Sequence, residues 1–247
     1  MKEELPILFR DEHLVAVHKP SGLLVHRTVL DRHETRFAVQ IVRDQIGQHV
    51  HPVHRLDRGT SGVLLFALDR EVGRVLSAQF ETQQVDKTYL AVVRGHPEEA
   101  GVIDHPLTRQ YDDYEFRAPD TVGEAQSAIT RYRRLATVEL PYRVDRYPTS
   151  RYALLELKPE TGRRHQLRRH LKHLAHPIIG DATYGKGRHN RLFQELFGCH
   201  RLLLACLEMR LTHPLSGEPL TLTAPRADDF VSVLDALELE RPMHSWS

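Results

Sequence analysis

One segment, HRLDRGTSGVLLFAL at residues 54–68, constrains the fold of this chain more than any other. Its second half, VLLFAL at 63–68, is an unbroken apolar run that follows a Thr-Ser-Gly turn, which predicts a short buried strand. Directly before that strand, Asp57 lies between Arg55 and Arg58. We expect the flanking cations to favour the ionised carboxylate and the strand to hold it on a rigid scaffold. The segment therefore predicts either a reactive carboxylate or a salt-bridged turn residue.

Strand and helix patterns alternate through the middle of the chain. Strands are predicted for LVAVHKP (14–20), KTYLAVVRG (87–95) and YALLEL (152–157). Helices are predicted between the first two of these strands, for ETRFAVQIVRDQIG (34–47) and REVGRVLSAQFETQQ (70–84). The face predicted to be apolar in the second helix consists of Val72, Val75, Leu76 and Phe80. This alternation predicts a layered mixed sheet.

The remaining segments complete an α+β pattern. Residues 103–127 are acidic and poor in apolar side chains, which predicts a surface excursion or hairpin. Leucines at 167, 171 and 174 predict a helix that Pro177 ends. A strand pair and a terminal helix are predicted for RLLLACLEMRLTHP (201–214) with PLTLTA (219–224), and for DDFVSVLDAL (228–237).

No linker divides the chain, so we expect one domain of two lobes over residues 1–240 and a frayed tail at 241–247. A separate N-terminal module is not expected. The sequence has no apolar run long enough to span a membrane and no signal peptide, which predicts a cytoplasmic protein. The two cysteines, Cys199 and Cys206, lack metal or redox spacing and are expected to pack structurally.

Charge is distributed unevenly, although the net charge is only +1. Residues 162–177 carry five Arg or Lys side chains and four histidines but no acid, whereas residues 103–127 carry six acids against two arginines. A basic stripe on a packed helix is typical of phosphate contact, and it is also typical of a solvated helix face. Composition leaves both interpretations open.

Several segments, in order, resemble the ribosomal-large-subunit pseudouridine synthase A family. These are KPSGLLVH (19–26), HRLD (54–57), KTYLAVVRG (87–95) and ETGRRHQLRRHLKHLAHPIIGD (160–181). The resemblance implies an α+β domain whose long mixed, mainly antiparallel sheet forms two lobes around a cleft. It also implies uridine isomerisation in RNA without a metal or cofactor. VRDQIGQHV, RYPTSRY and RHNRLF further resemble a tRNA-modifying branch, for which the target would be uridine 65.

The resemblance assigns catalytic roles to three residues. Asp57 corresponds to the catalytic aspartate, which either adds to the anomeric carbon or helps to expel uracil. Tyr89 corresponds to the tyrosine that lies against the base and is implicated in proton removal. Arg168 corresponds to the arginine that pairs with the aspartate, and we expect its loss to reduce activity without unfolding the protein.

Substrate contacts are assigned in the same way. Arg55 corresponds to the arginine that fills the space left by the everted nucleotide, and Leu204 to the apolar residue under the uracil. This chain has Ala205 where the family often has histidine, which puts the local packing in doubt. The basic side chains assigned to RNA contact are Arg164, Arg169 and Lys172.

Other functions remain open at this stage. The same chemistry could act on ribosomal RNA, and a protein that only binds RNA, such as a folding chaperone, would use the same basic stripe. A glycosidase or nucleoside hydrolase would need a second carboxylate near Asp57, and the sequence singles out none. Histidines at 170, 173 and 176 have a helical spacing that could suit a metal, but no HExxH or cysteine pair accompanies them, so no metal is expected.

Overall fold

The computed structural model describes residues 3–26, 34–110 and 123–239. Within these residues the strands are β1 (Ile7–Arg10), β2 (Leu14–Lys19), β3 (His51–Pro52), β4 (Ser61–Ala67), β5 (Asp86–Arg94), β6 (Ala100–Asp104), β7 (Leu107–Thr108), β8 (Ala125–Gln126), β9 (Ile129–Leu140), β10 (Ser150–Pro159), β11 (Leu204–Thr212) and β12 (Pro219–Thr223). The helices are α1 (Ala38–Ile46), α2 (Arg70–Glu81), α3 (Gln166–His173), α4 (Gly187–Phe197) and α5 (Asp228–Ala236).

One long sheet joins most of the strands, and its path is β1-β2-β4-β11-β5-β10-β9-β6. Strand β12 pairs with β11, and β3 pairs with β4. All neighbouring pairs described in this sheet are antiparallel except β4 with β11, which run parallel over Ser61–Gly62 and Ala205–Cys206. The expected long mixed, mainly antiparallel sheet is confirmed.

The parallel junction between β4 and β11 depends on a glycine. Gly62 has a φ of 114°, and a Cβ at this position would lie 1.9 Å from the carbonyl oxygen of Cys206. A larger residue would therefore force the two strands apart. This close approach joins the first lobe, built around β2 and β4, to the second lobe, built around β5 and β10.

Each lobe has its own packed interior. In the first lobe the fully buried strand β4 packs beneath α1 and α2, as the apolar run predicts. In the second lobe, separate apolar clusters cover the two faces of β5 and β10. Asp69 caps the start of helix α2, because its carboxylate accepts a hydrogen bond from the N–H of Val72. The prediction for Val75 was wrong, because its side chain is 44% exposed on the outer surface of α2.

Most predicted elements occur, with three differences. Strand β9 and helix α4 were not predicted, and β1 adds an edge strand before β2. At the base of the excursion at 103–127, β7 pairs with β8, and Ile103 and Leu107 are buried. Residues 111–122 of that excursion and the tail at 241–247 lie outside the described residues. No helix in the described part of the chain is long and apolar enough to cross a membrane.

Candidate active site

The loop that carries Asp57 joins β3 to β4 and is fastened to the turn after β2. The N–H of Gly22 donates to the carbonyl of Arg58 at 2.8 Å, and the Ser21 hydroxyl donates to the carbonyl of Gly59 at 2.7 Å. The N–H of Thr60 donates to the Asp57 carbonyl at 3.0 Å and closes the turn. The KPSG and HRLDRG segments are therefore two halves of one scaffold.

Lys19 lies inside this scaffold and is fully buried. Its ammonium donates to the carbonyls of Pro20, Leu23 and Arg58 at 3.0, 2.6 and 3.1 Å. Burial lowers the pKa of Lys19 to about 7, although the nearby Asp57 carboxylate works in the opposite direction. Lys19 thus fixes the backbone behind Asp57 and places a titratable amine close to it.

Arg168, on α3, connects Asp57 to a second carboxylate. One terminal guanidinium nitrogen donates to Oδ2 of Asp57 at 3.1 Å, while Nε and the other terminal nitrogen donate to the two oxygens of Asp181 at 2.7 and 2.9 Å. The Asp181 side chain is completely buried and also accepts from the N–H groups of Thr183 and Tyr184. A two-point contact of this kind holds the guanidinium in one orientation towards Asp57.

The electrostatics of this chain of charges follow from its burial. Burial works to raise the pKa of Asp181, but the hydrogen bonds from Arg168 and Tyr184 hold that pKa below its usual value. For Arg168, burial would lower the pKa, and the two carboxylates raise it above the ordinary value. Arg168 therefore stays charged. Arg168, a cation that faces Asp57, comes from a helix 111 residues away, and Arg58 donates to the Gly22 carbonyl and to Glu34.

His165 and Tyr184 complete the surroundings of Asp57. His165 adopts a left-handed backbone conformation, with a φ of 54°, at the start of α3. Its Nδ1 lies 3.0 Å from the Tyr184 hydroxyl, and its Nε2 lies 3.9 Å from Oδ1 of Asp57. Burial lowers the pKa of His165. A neutral imidazole that accepts from Tyr184 would direct its Nε2–H towards Asp57 and the pocket.

Asp57 opens into a pocket of about 470 Å³ between the two lobes. Tyr89 of β5 and Leu204 of β11 line it on one side, and Phe80 of α2 lines it on another. His54 stacks on Phe80 with ring centroids 4.8 Å apart and accepts a hydrogen bond from the N–H of Leu65. A cavity of this size, walled by aromatic and apolar side chains, by arginines and by the carboxylates of Asp57 and Glu81, suits a single flipped nucleotide.

The Tyr89 hydroxyl is neutral at physiological pH. Burial raises the pKa of its phenol well above the ordinary value, and the neighbouring Cys206 and Asp57 raise it further. In the free protein Tyr89 therefore donates hydrogen bonds and is a poor base. The predicted role in proton removal requires that its own proton be transferred in the same step.

The other residues predicted to contact substrate divide into two groups. Arg55 and Arg164 line the pocket, where Arg55 is exposed and Arg164 lies in the turn before α3. Arg169 does not line it, and Lys172 lies farther along α3, its ammonium 5.7 Å from the centre of the Tyr184 ring. The structure therefore gathers Asp57, Tyr89, Arg168, Arg55, Leu204 and Arg164 around the pocket and leaves Arg169 and Lys172 outside its lining.

The histidines of α3 and of the turn that follows it serve as structural links. His170 is fully buried between the Thr130 hydroxyl and the His105 carbonyl, each 3.0 Å away. His173 stacks on His105, and His176 Nδ1 lies 2.8 Å from the Arg94 carbonyl. Among the described residues, no group of three or more His, Cys, Asp or Glu side chains could hold a metal ion. Both cysteines are buried and unbridged.

Comparison with known proteins identifies the fold and the family. A family model described as RNA pseudouridylate synthase matches residues 13–173, which include Asp57, Tyr89 and Arg168. The chain belongs to this family. It is therefore an RNA pseudouridine synthase, an isomerase. The solved structures of human RNA pseudouridylate synthase domain containing 1 and 4 match with TM-scores of 0.72 and 0.70, at 25% and 30% identity. Each match covers 96% of this chain, and 89% and 94% of the respective human chain.

Curated relatives from bacteria are more similar in sequence. A protein of Pectobacterium carotovorum named tRNA pseudouridine synthase C is 58% identical over 222 residues, which is 89% of this chain and 58% of that protein. This chain thus spans less than two thirds of that relative. A Vibrio parahaemolyticus protein of the same name is 49% identical over 240 residues, covering 97% of this chain and 98% of the relative.

Sequence reasoning missed Asp181, Tyr184 and His165 as parts of the site. Asp181 ends the GRRHQLRRH…GD segment, and the one available signal was an acid placed shortly after an otherwise wholly basic stretch. His165 was counted only among the basic residues of the stripe. Its left-handed backbone places it at the pocket, and helical periodicity alone does not reveal that position.

Proposed function

We propose that this pseudouridine synthase modifies tRNA and that Asp57 acts on the ribose of a flipped-out uridine. The reaction breaks the bond between N1 of uracil and the anomeric carbon, forms a bond from C5 to that carbon, releases the C5 proton, and leaves a proton on N1. The observation that carries the assignment is the position of Asp57, in the pocket and opposite an arginine whose far side is fixed by buried Asp181. A preorganised carboxylate is what the reaction needs at the sugar.

The remaining residues have roles that their positions support. Tyr89 and Leu204 form the wall against which the detached uracil would stack and rotate. Arg55, exposed at the pocket edge, is suited to replace the everted nucleotide in its stem. Arg164 contributes to phosphate contact from the pocket, while Arg169 and Lys172 would act beyond it.

A tRNA substrate is supported by the names of the bacterial relatives and by the segments that resemble a tRNA-modifying branch. The resemblance points to uridine 65, next to the acceptor arm. We further propose that residues 1–240 act as one catalytic domain and that the protein works in the cytoplasm, where tRNA is available.

Tritium release from C5 of uridine in a tRNA transcript tests this proposal. We expect release by the natural chain and a fall of at least about a thousandfold in Asp57→Asn, which keeps the side-chain shape but loses the charge. Asp104→Asn changes an exposed carboxylate on β6 and is the matched control, with activity expected to be unchanged. RNA binding without release from any tRNA would favour the RNA-chaperone function instead.

The target position is tested with altered transcripts. A tRNA with cytidine at position 65 should release no tritium, and a tRNA without an intact T-arm fold should be a poor substrate. Equal rates on a short unstructured oligonucleotide would contradict the requirement for structure. Tritium release from ribosomal RNA but from no tRNA would support the proposed reaction and show that ribosomal RNA is the substrate.

A further inference from the structure

The two segments RYPTSRY and RHNRLF lie away from the pocket, and the structure joins them. His189 of α4 is buried, and Oδ2 of Asp145, in the loop between β9 and β10, lies 3.2 Å from its Nε2. The Nε of Arg94 lies 3.1 Å from the same His189 nitrogen, and the Tyr152 hydroxyl lies 2.8 Å from Nδ1. We call these four residues the hairpin joint. They fix the β9–β10 loop against the first turn of α4.

The surface above the hairpin joint is strongly basic. Its exposed cations are Arg143 and Arg146 from the loop together with Lys186 and Arg188 at the start of α4. The pKa of Asp145 is lowered, mainly by its hydrogen bond with His189 and also by Arg94 and Arg188, so that carboxylate stays charged. Four exposed cations therefore surround one carboxylate that already has partners.

The same surface exposes aromatic rings. Tyr147 is 58% exposed, and the guanidinium of Arg146 lies 4.7 Å from the centre of its ring. Tyr142, in the same loop, is 42% exposed. Arginine interleaved with exposed tyrosine is the combination that binds phosphates and stacks on unpaired bases. We define the hairpin patch as Arg143, Arg146, Tyr147, Lys186 and Arg188.

The hairpin patch lies at a distance that a helical stem can bridge. Arg94 of the joint is five residues along β5 from Tyr89 of the pocket, which corresponds to roughly 17 Å of strand, and the two side chains point to opposite faces of the sheet. This separation is shorter than one helical turn of a nucleic-acid duplex, which is on the order of 30 Å. Tyr184, at the pocket, also precedes α4 by only a short turn. One RNA could therefore contact both places.

We propose that the hairpin patch is a second RNA-contact site, which binds backbone phosphates and one unpaired base beyond the stem that holds the target uridine. This inference rests on the proposed RNA substrate and extends it, because it places part of substrate selection outside the catalytic pocket. Chemistry that is common to the family resides in the pocket, and the patch supplies affinity for one folded RNA.

Charge reversal at the patch tests this. The variant Arg143→Glu/Arg146→Glu/Arg188→Glu should bind full-length tRNA at least tenfold more weakly in filter binding. Its maximal single-turnover rate of tritium release should stay within about twofold of the natural chain. The slope of log Kd against log salt concentration should fall by about three, since three phosphate contacts are lost. Tyr147→Ala should weaken binding by about tenfold.

The matched control reverses three exposed arginines elsewhere: Arg70 and Arg74 on α2, and Arg210 on β11. This control has the same net charge as the patch variant, and its affinity should stay within about threefold of the natural chain. On a short stem-loop that contains only the target stem, both variants should match the natural chain. Equal weakening by the two triple variants on tRNA would overturn the proposal.

Two further measurements cover misfolding of the patch variant and failure of the proposed function. A glutamine set at the same three patch positions removes charge without repulsion and should weaken binding in the same direction, so misfolding of the glutamate set would not hide the effect. If the natural chain forms no pseudouridine in any RNA, the proposed function fails, but filter binding of the patch and control variants still decides whether the patch binds RNA. A patch that binds an acidic protein instead would leave RNA affinity unchanged in every variant, which contradicts the proposal.

Discussion

The pocket and the hairpin joint are built from the same parts in opposite settings. Each contains an arginine shared between a carboxylate and a second acceptor, and each contains a histidine whose Nδ1 meets a tyrosine hydroxyl. At the pocket the supporting carboxylate, Asp181, has a completely buried side chain, whereas that of Asp145 at the joint is 39% exposed. We infer that the buried contact at the pocket is rigid, whereas the exposed contact at the hairpin joint only links two surface segments.

Solvent access determines how much each arginine matters. A buried carboxylate without its cation is left uncompensated in a low-dielectric interior, which costs several kcal/mol. An exposed carboxylate is rehydrated when its partner is removed, so the loss is small. The same chemical contact can thus be essential for stability at one place and nearly dispensable at another.

The largest expected effect comes from removing the two arginines in turn. Arg168→Met should abolish tritium release and destabilise the protein by about 3–5 kcal/mol, because it leaves Asp181 buried and unpaired. Arg94→Met should destabilise by less than about 1 kcal/mol and leave the catalytic rate unchanged. Urea unfolding of both variants measures the contrast. Because of Asp181, we now expect loss of Arg168 to affect folding as well as activity, which differs from the expectation drawn from sequence.

A second substitution separates the two roles of Arg168. Adding Asp181→Asn to Arg168→Met removes the uncompensated charge while an amide oxygen can still accept from the N–H groups of Thr183 and Tyr184. Part of the lost stability should return, and activity should not. If the single variant unfolds no more easily than Arg94→Met, the burial of Asp181 is not what distinguishes the two regions.

The sequence predicted the first lobe and the reacting residues well, for physical reasons. Strand β4 is a continuous apolar run, and Asp57, Tyr89 and Arg168 sit in local patterns that a resemblance can identify. Strand β9 was missed because its charged residues face outwards and interrupt the apolar pattern, while its pairing with β6 and β10 fixes its conformation. Asp181, Tyr184 and the hairpin joint were missed because they depend on contacts between distant segments.

The next effect compares two tyrosines that make the same contact. Tyr184→Phe removes the hydroxyl that holds the His165 ring near Asp57, and the single-turnover rate should fall about tenfold with little change in RNA affinity. Tyr152→Phe removes the equivalent hydroxyl from buried His189 and should leave the rate unchanged while costing about 1 kcal/mol of stability. Rapid-quench tritium release and urea unfolding distinguish the two results.

A substitution at His165 itself checks this interpretation. Asparagine tolerates the left-handed backbone at this position, so a rate loss in His165→Asn would reflect the missing imidazole and not backbone strain. Equal rates for Tyr184→Phe, His165→Asn and the natural chain would show that Arg168 alone positions Asp57.

The smallest effect is a pH dependence that again differs between the regions. Burial, with a smaller contribution from the charge of Lys87, lowers the pKa of His54 to about 3. The unfolded chain binds a proton at this residue below about pH 6.5, and the folded chain does so only near pH 3, so stability is lost as the pH falls through that window. His54→Gln should remove about 1–2 kcal/mol of the stability difference between about pH 7 and about pH 5.

Burial also lowers the pKa of His189, but the exposed Asp145 opposes it, so His189→Gln should change the pH dependence less. Urea midpoints at the two pH values provide the comparison, and a larger change for His189 would mean that the joint, not the pocket wall, is the more strongly desolvated region.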